Sequence, residues 1–305
     1  MLNRIVKVSL LLAVAAGAVA ARAEEPPLKI GLAAMISPKE TIIYYNGLLG
    51  YVGQKLGRKV EMVQYRTYDE MDVALEKREL DIAFVCSGPY VRDHDKFGAE
   101  LLVAPQSYGK PFYHAYIIAP AGSPAKTLAD LKGKTFAFTD PKSNTGRIVP
   151  TYMVSKEFGV APEKFFSTVK FTFSHDKSID EVGKGTVDGA SVDSLIYDYL
   201  AAKSPATTRN TKVVAKSAPY GIPPVIVNPK MDAALKAKVK AALLAMHEDA
   251  KGKAILDGIM VDKFIVPKDK DYDSVREMER WLAKNAPAPA AAANPAVVPV
   301  SAPAK

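Results

Sequence analysis

Apolar and polar positions along this chain switch between two periods, and the switching predicts the fold class. Residues 28–33, 60–65 and 81–85 are short apolar runs with the length and composition of buried strands. Residues 41–56 and 69–77, between them, repeat apolar side chains at the spacing of a helix with one buried face. Strand, helix, strand, helix, strand in that order predicts an α/β fold on a mostly parallel sheet, with ligands beyond the carboxyl ends of the strands. Residues 101–104 and 112–119 read as further strands, the second ending in the turn Pro120-Ala121-Gly122-Ser123-Pro124. A second rhythm follows: a short helix at 128–131, strand 135–139, helix 147–158, strand 169–173, helix 178–184, strand 189–192, helix 194–202 and strand 211–217. Pro223-Pro224 and the apolar 225–227 lead into three helical segments that run to about residue 284.

Two rhythms separated by turns predict two lobes, each a mixed sheet flanked by helices. Residues 24–112 and 224–285 form the first lobe and residues 113–223 the second. Two crossings, near 113–118 and 221–227, make a two-segment hinge, and a ligand belongs in the cleft between the lobes. The chain ends differ from this body. Arg4 and Lys7 precede an apolar run over 8–20, then Ala21-Arg22-Ala23, the layout of a secretory signal peptide over residues 1–23. Residues 286–305 are almost entirely Ala, Pro and Val, which predicts a disordered, partly extended tail.

Charge and cysteine content narrow the class further. The formal net charge of +8 falls to +5 once Arg4, Lys7 and Arg22 leave with the leader, a mild field that favours anions. The Lys residues are scattered, and no basic and aromatic stripe suits nucleic acid. Cys86 is the only cysteine, so no intramolecular disulfide is available, and in the apolar stretch 82–86 it reads as a small buried hydrophobe. An exported chain of this size with a core large enough to need no disulfide points to the periplasm. No metal-ligand spacing, Ser/His/Asp order or Walker-type loop occurs, so neither a cofactor nor catalysis is expected.

The stretch that offers chemistry is Asp140-Pro141-Lys142-Ser143-Asn144-Thr145-Gly146, between a predicted strand and a predicted helix. A helix start presents unpaired N–H groups and partial positive charge, and small hydroxyl and amide residues there suit an oxyanion. The same residues also suit an ordinary capping turn. Ser87-Gly88-Pro89-Tyr90 follows the third strand and is a second candidate loop, with Pro89 in the first turn of a helix.

Longer strings carry a resemblance. Thr127-Leu128-Ala129-Asp130-Leu131-Lys132-Gly133-Lys134, Phe136-Ala137-Phe138, Asp140-Pro141-x-Ser143-x-Thr145-Gly146 with Pro150, Phe173-Ser174-His175-Asp176, Gly185-x-Val187-Asp188-Gly189-Ala190 and Val192-Asp193-Ser194-x-x-Tyr197-Asp198 resemble the phosphonate-, phosphite- and phosphate-binding proteins of ABC importers. These are type II periplasmic binding proteins, and the resemblance spans residues 28–284. It implies that Ser143, Asn144 and Thr145 present donors to a ligand oxyanion, with Gly146 allowing close approach. His175, at the end of a strand, would donate from its imidazole, although beside Asp176 it also reads as a paired surface residue. Tyr68 and Tyr113 would donate phenolic hydrogens, and Ser87 would be the first-lobe counterpart of the cradle. Asp193 either accepts a hydrogen from a P–OH group or caps the helix that starts at Ser194.

The resemblance also narrows the ligand. Aminoalkylphosphonate binders of the family hold the amine with carboxylates, and the corresponding places here are Leu195 and Pro223. A compact anion such as phosphite, phosphate or methylphosphonate is therefore expected, held by a monomer that delivers it to an inner-membrane ABC permease. A periplasmic module for a membrane sensor kinase is the alternative role. An enzyme using His175, Asp193 and Cys86 is a third.

Overall fold

The computed structural model describes residues 25–285 and Pro287. The expected leader and, apart from Pro287, the Ala/Pro tail lie outside the described residues.

Two sheets carry the fold. The first has six strands in the order β13-β4-β12-β3-β1-β2. These are β1 (Leu28–Leu32), β2 (Val60–Gln64), β3 (Ile82–Phe84), β4 (Glu100–Gln106), β12 (Val225–Val227) and β13 (Lys263–Ile265). β1 pairs in parallel with both β2 and β3, while β12 runs antiparallel between β3 and β4. The second sheet has the order β10-β6-β9-β7-β8, built from β6 (Ala115–Pro120), β7 (Thr135–Phe138), β8 (Thr168–Phe171), β9 (Gly189–Asp193) and β10 (Thr211–Lys216). β7 is parallel to β8 and β9, and β6 is antiparallel to β9 and β10. Between the sheets the chain crosses twice, through β5 (Phe112–Tyr113) and β11 (Tyr220–Gly221), which pair antiparallel as a two-residue ladder.

Central strands are buried on both faces and edge strands are not. All residues of β3 and β9 are buried, whereas β2 and β8 alternate with exposure, as expected of strands at a sheet margin. Helices cover both sheets: α1 (Pro38–Leu56), α2 (Tyr68–Glu76), α3 (Ser87–Phe97), α4 (Val149–Phe158), α5 (Pro162–Phe165), α6 (His175–Gly183), α7 (Ser194–Lys203), α8 (Pro205–Thr208), α9 (Ala233–Leu244), α10 (Ala250–Gly258) and α11 (Asp273–Asn285). α1 shows the logic, with Tyr45, Leu48, Leu49 and Val52 at helical spacing buried in the cluster that contains Leu28, Ile30 and Leu32 of β1.

Several expected boundaries move for identifiable reasons. The single strand expected over 112–119 is broken at His114, whose N–H donates to Ser194 Oγ at 3.0 Å instead of joining a ladder. The helix expected to begin at Pro89 begins at Ser87. The helix expected at Arg147 is preceded by a π-helical turn over Asn144–Ile148, inside the candidate cradle. His175 is the first residue of α6, not the end of a strand, because β8 stops at Phe171 and the chain reverses at Phe173, where φ is 60°. A non-glycine residue in that region costs about 1–3 kcal/mol, and the turn carries His175 inward from the sheet margin. β13 interrupts the helical run expected after Val227. Among the described residues no helix is long and apolar enough to cross a membrane.

Candidate functional site

Helices begin where strands end, and their starts gather the expected residues. α2 starts at Tyr68 after β2, α3 at Ser87 after β3, the π-helical turn at Asn144 after β7, and α7 at Ser194 after β9. Each start brings N–H groups without intrahelical partners and a partial positive charge. Three are capped by side chains, α2 by Thr67 Oγ1, which accepts from Glu70 N–H at 3.2 Å. Ser143 Oγ accepts from Gly146 N–H at 3.0 Å, and Asp193 Oδ1 accepts from Leu195 N–H at 2.7 Å.

The cradle is fastened across the two sheets by a buried carboxylate. Asp140 accepts Lys142 N–H at 2.8 Å within the loop and Tyr68 N–H at 3.1 Å from α2. Burial pushes the Asp140 carboxyl up from its usual range, and these two backbone donors oppose that shift. Gly146 is needed here for packing. A Cβ at that position would stand 1.7 Å from Thr139 Oγ1 and 2.9 Å from Ser143 Oγ. The side expected to open towards an oxyanion is filled by the Thr139 side chain, and the N–H of Gly146 is already held by Ser143.

Accounting for hydrogens separates the nine residues. Tyr68, Thr145 and His175 are each 0 % exposed, yet Tyr68 Oη, Thr145 Oγ1 and His175 Nε2 have no hydrogen-bond partner. β9 brings two of them together, since Ser191 Oγ donates to the Thr145 carbonyl at 2.6 Å and Asp193 N–H donates to His175 Nδ1 at 3.0 Å. An imidazole that accepts at Nδ1 carries its hydrogen on Nε2, so the unpartnered nitrogen is a donor. Burial lowers the His175 ring to about 3, which keeps it neutral. Burial is also the main cause raising the Tyr68 hydroxyl well above its ordinary range, with Cys86, Asp140 and Asp193 adding to the shift and the neighbouring Ser143 hydroxyl opposing it.

The other hydroxyl and amide groups are committed to one another. Ser87 Oγ reaches the Gly221 carbonyl at 2.5 Å and Tyr113 Oη at 3.2 Å. Tyr113 Oη also accepts from Asn144 Nδ2 at 3.1 Å and lies 3.5 Å from Cys86 Sγ. Asn144 N–H points to the same sulfur at 3.4 Å, and Asn144 Oδ1 is left as a buried acceptor without a partner. Cys86 is buried and its thiol is raised by burial, the state of a packed thiol and not of a nucleophile. Neither cation of the loop turns to the free donors. Lys142 pairs with Asp69 at 2.5 Å and Asp72 at 3.0 Å, while Arg147 pairs with Glu163 at 2.7 Å and stacks on the Phe138 ring at 4.4 Å. The arrangement can hold a small anion with neutral donors and helix starts.

Asp193 has two surroundings. It caps α7, and it lines an apolar cavity of about 60 Å³ together with Leu195 and Pro223, the two positions where an amine partner was looked for. Burial pushes its carboxyl up to about 7. Sequence reasoning missed Thr139, Ser174 and Ser191, all buried polar residues that frame the cradle or leave a hydroxyl free, and it placed Asp140 in the cradle without its bond to Tyr68. For Ser191 a signal existed, as a hydroxyl in a strand otherwise apolar up to Asp193. Among the described residues no cluster of three or more His, Cys, Asp or Glu side chains has the geometry of a metal site.

Comparison with known proteins places this geometry in a family. The family described as ABC transporter, phosphonate, periplasmic substrate-binding protein matches over residues 30–272, a stretch that contains all nine expected site residues. The chain belongs to this family. The phosphonates-binding periplasmic protein of Escherichia coli K12 is 23% identical over 263 residues, covering 85% of this chain and 77% of the relative. Among solved structures, the binding-protein component of an ABC phosphonate transporter from Pseudomonas aeruginosa superposes with a TM-score of 0.80 at 23% identity, covering 85% and 87% of the two chains. PhnD1 of Prochlorococcus marinus MIT 9301, solved with methylphosphonate, gives 0.76 at 18% identity, covering 84% and 98%. The two sheets and the paired β5 and β11 crossings are thus the two lobes and hinge of a type II periplasmic binding protein. As a family member, the chain is the substrate-binding component of an ABC transporter.

Proposed function

We propose that this protein captures a small phosphorus oxyanion, phosphite, phosphate or an alkylphosphonate, in the cleft between its lobes and hands it to an inner-membrane permease. One observation carries the ligand class: Tyr68 Oη, Thr145 Oγ1 and His175 Nε2 are fully buried donors without partners, contributed by three different elements. Leaving such a group unpaired costs about 1–3 kcal/mol, which an acceptor-rich ligand reaching all three would recover. Asn144 Oδ1 adds an unpartnered acceptor, which suits an anion that keeps one P–OH hydrogen. The lobes divide in this reading as residues 24–112 with 224–285, and 113–223. The protein works as a periplasmic monomer and catalyses no reaction.

The test is thermal unfolding of the mature protein with phosphate, phosphite, methylphosphonate and sulfate. A bound ligand at about 100 times its dissociation constant adds about 2.7 kcal/mol. Stabilisation by phosphorus oxyanions above that by sulfate is the expected result. No response to any phosphorus ligand would overturn the reading.

A further inference from the structure

One loop of the second lobe is fastened to the first by groups that do not belong to the free donors. Residues 140–142 follow β7 of the second sheet, yet their bonds reach α2 and α3, which follow β2 and β3 of the first. Asp140 accepts the Tyr68 N–H at 3.1 Å, and Lys142 Nζ pairs with Asp69 and Asp72 of α2. Arg92 of α3 approaches the Lys142 carbonyl at 3.4 Å while pairing with Glu279 at 2.8 Å. Gly88, in the first turn of α3, completes the seat. A Cβ there would stand 2.9 Å from the Lys142 carbonyl oxygen and 3.1 Å from the Ile148 side chain, so the loop reaches α3 because residue 88 has no side chain.

Burial decides which of these contacts matters. Asp69 is exposed, and an exposed ion pair contributes little. Asp72 is 5 % exposed, its Oδ1 has no partner, and its Oδ2 pairs with Lys142 at 3.0 Å. Burial pushes the Asp72 carboxyl up, and Lys142 is the strongest influence opposing that. Asp93 of α3 is also buried, and its carboxyl is pushed up by burial with Asp72 adding to the shift, so Asp72 is the carboxylate that calls for a cation. Removing Lys142 from the closed protein leaves Asp72 a buried charge without its partner, which costs far more than the loss of a surface pair. The Tyr68 N–H depends on the same loop. It lies at the start of α2, where no intrahelical carbonyl is available, and Asp140 is its acceptor.

We propose that this loop is the latch of the closed protein: Lys142 docks against Asp72 and Gly88 when the lobes come together, and so sets how long an anion stays in the cleft without touching it. The inference rests on the reading of the interlobe cleft as the binding site and goes beyond it, because it assigns the closed state to residues outside the donor set. A latch that forms once the anion is inside acts on its escape and not on its entry.

Stopped-flow binding of phosphite and methylphosphonate to the mature protein tests this, together with hydrogen exchange of the unliganded protein. Lys142→Met and Gly88→Ala should each speed ligand release about tenfold with entry changed less than about threefold, and Lys142→Arg should stay within about threefold of the parent in both. In an Asp72→Asn background, Lys142→Met should speed release by about threefold or less, because the charge it neutralises is gone. Without ligand, the Tyr68 amide should exchange about tenfold faster in Lys142→Met than in the parent, while the amides of β1 change less than about threefold. Exchange that rises equally at Tyr68 and in β1 would make Lys142 a residue of general stability and overturn the inference. A loss of affinity that lies in entry and disappears in about 0.5 M salt would make it a surface attraction and overturn it as well. So would a folded Lys142→Met variant with unchanged release. If that variant does not fold, Gly88→Ala, which keeps every charge, carries the same comparison. Failure of both anions to bind overturns the oxyanion reading, and the exchange at Tyr68 then decides the latch by itself.

Discussion

Two groups of side chains meet in this cleft with similar chemistry and opposite bonding. On one side Tyr68, Thr145 and His175 keep a hydrogen with no acceptor. On the other, next to the β5 and β11 ladder, Ser87, Tyr113 and Asn144 are bonded to one another and to the Gly221 carbonyl. All six residues are buried, with Tyr113 the most accessible at 1 %. Burial therefore does not separate the two groups, and neither does residue type. What separates them is whether the donor already has an acceptor, because a buried unpaired donor costs more than a paired one contributes. In the proposed function the free side is completed by the ligand. The paired side closes the hinge.

The largest expected effects come from the free side. Tyr68→Phe, Thr145→Val and His175→Ala each remove one donor to a charged ligand, and each should weaken phosphorus oxyanion binding by about 10- to 100-fold in calorimetry. Tyr68→Phe carries a second signature. It deletes a buried hydroxyl that has no partner, so the unliganded protein should be unchanged or up to about 1 kcal/mol more stable in denaturant unfolding. A loss of stability with unchanged affinity would put Tyr68 among the structural residues and break the comparison.

A smaller effect concerns His175 and Asp193, which are joined through one backbone hydrogen bond and shifted in opposite directions. Burial holds the folded His175 near 3, so between there and its usual value of about 6.5 the unfolded chain binds the extra proton and stability rises with pH. Burial holds the folded Asp193 near 7, so between its usual value of about 3.9 and there the folded chain binds the extra proton and stability falls as pH rises. From about pH 4 to 6.5 the two slopes cancel in the unliganded protein. His175→Ala should tilt stability downward with rising pH relative to the parent, and Asp193→Asn should tilt it upward, each by about 1.4 kcal/mol per pH unit at the steepest. Parallel profiles for both variants and the parent would mean that neither group titrates as its burial requires. The free side would then be wetter than the structure has it.

How much of this was legible beforehand follows from what each feature depends on. The two α/β rhythms were readable because the strand and helix periods are local, and the helix starts at the carboxyl ends of strands follow from that fold class. All nine expected residues lie at those starts or at the hinge. Four features were not readable. His175 opens a helix because the chain reverses at Phe173 with φ at 60°, a conformation nothing in Phe173 announces. Gly146 answers to Thr139, seven residues earlier, through a contact that exists only once the loop is folded. The division between free and paired donors depends on Gly221 and Ser191, more than 40 residues away from the groups they hold. β13 is three residues long, with its first residue exposed, and packs on β4 without a periodic signal of its own.

The smallest effect tests the paired side. Ser87→Ala leaves the buried Gly221 carbonyl without the hydroxyl that stands 2.5 Å from it, at a cost of about 1–2 kcal/mol in denaturant unfolding. Ligand affinity should change less than about threefold, because the Ser87 hydrogen is directed into the hinge and not at the free donors. The comparison would invert on the opposite pattern, a tenfold loss of affinity with stability unchanged. Ser87 would then have to leave Gly221 when the anion arrives, and the hinge bond would be one that the ligand competes for. The two results differ in both stability and affinity, so a single variant measured both ways decides which side of the cleft Ser87 belongs to.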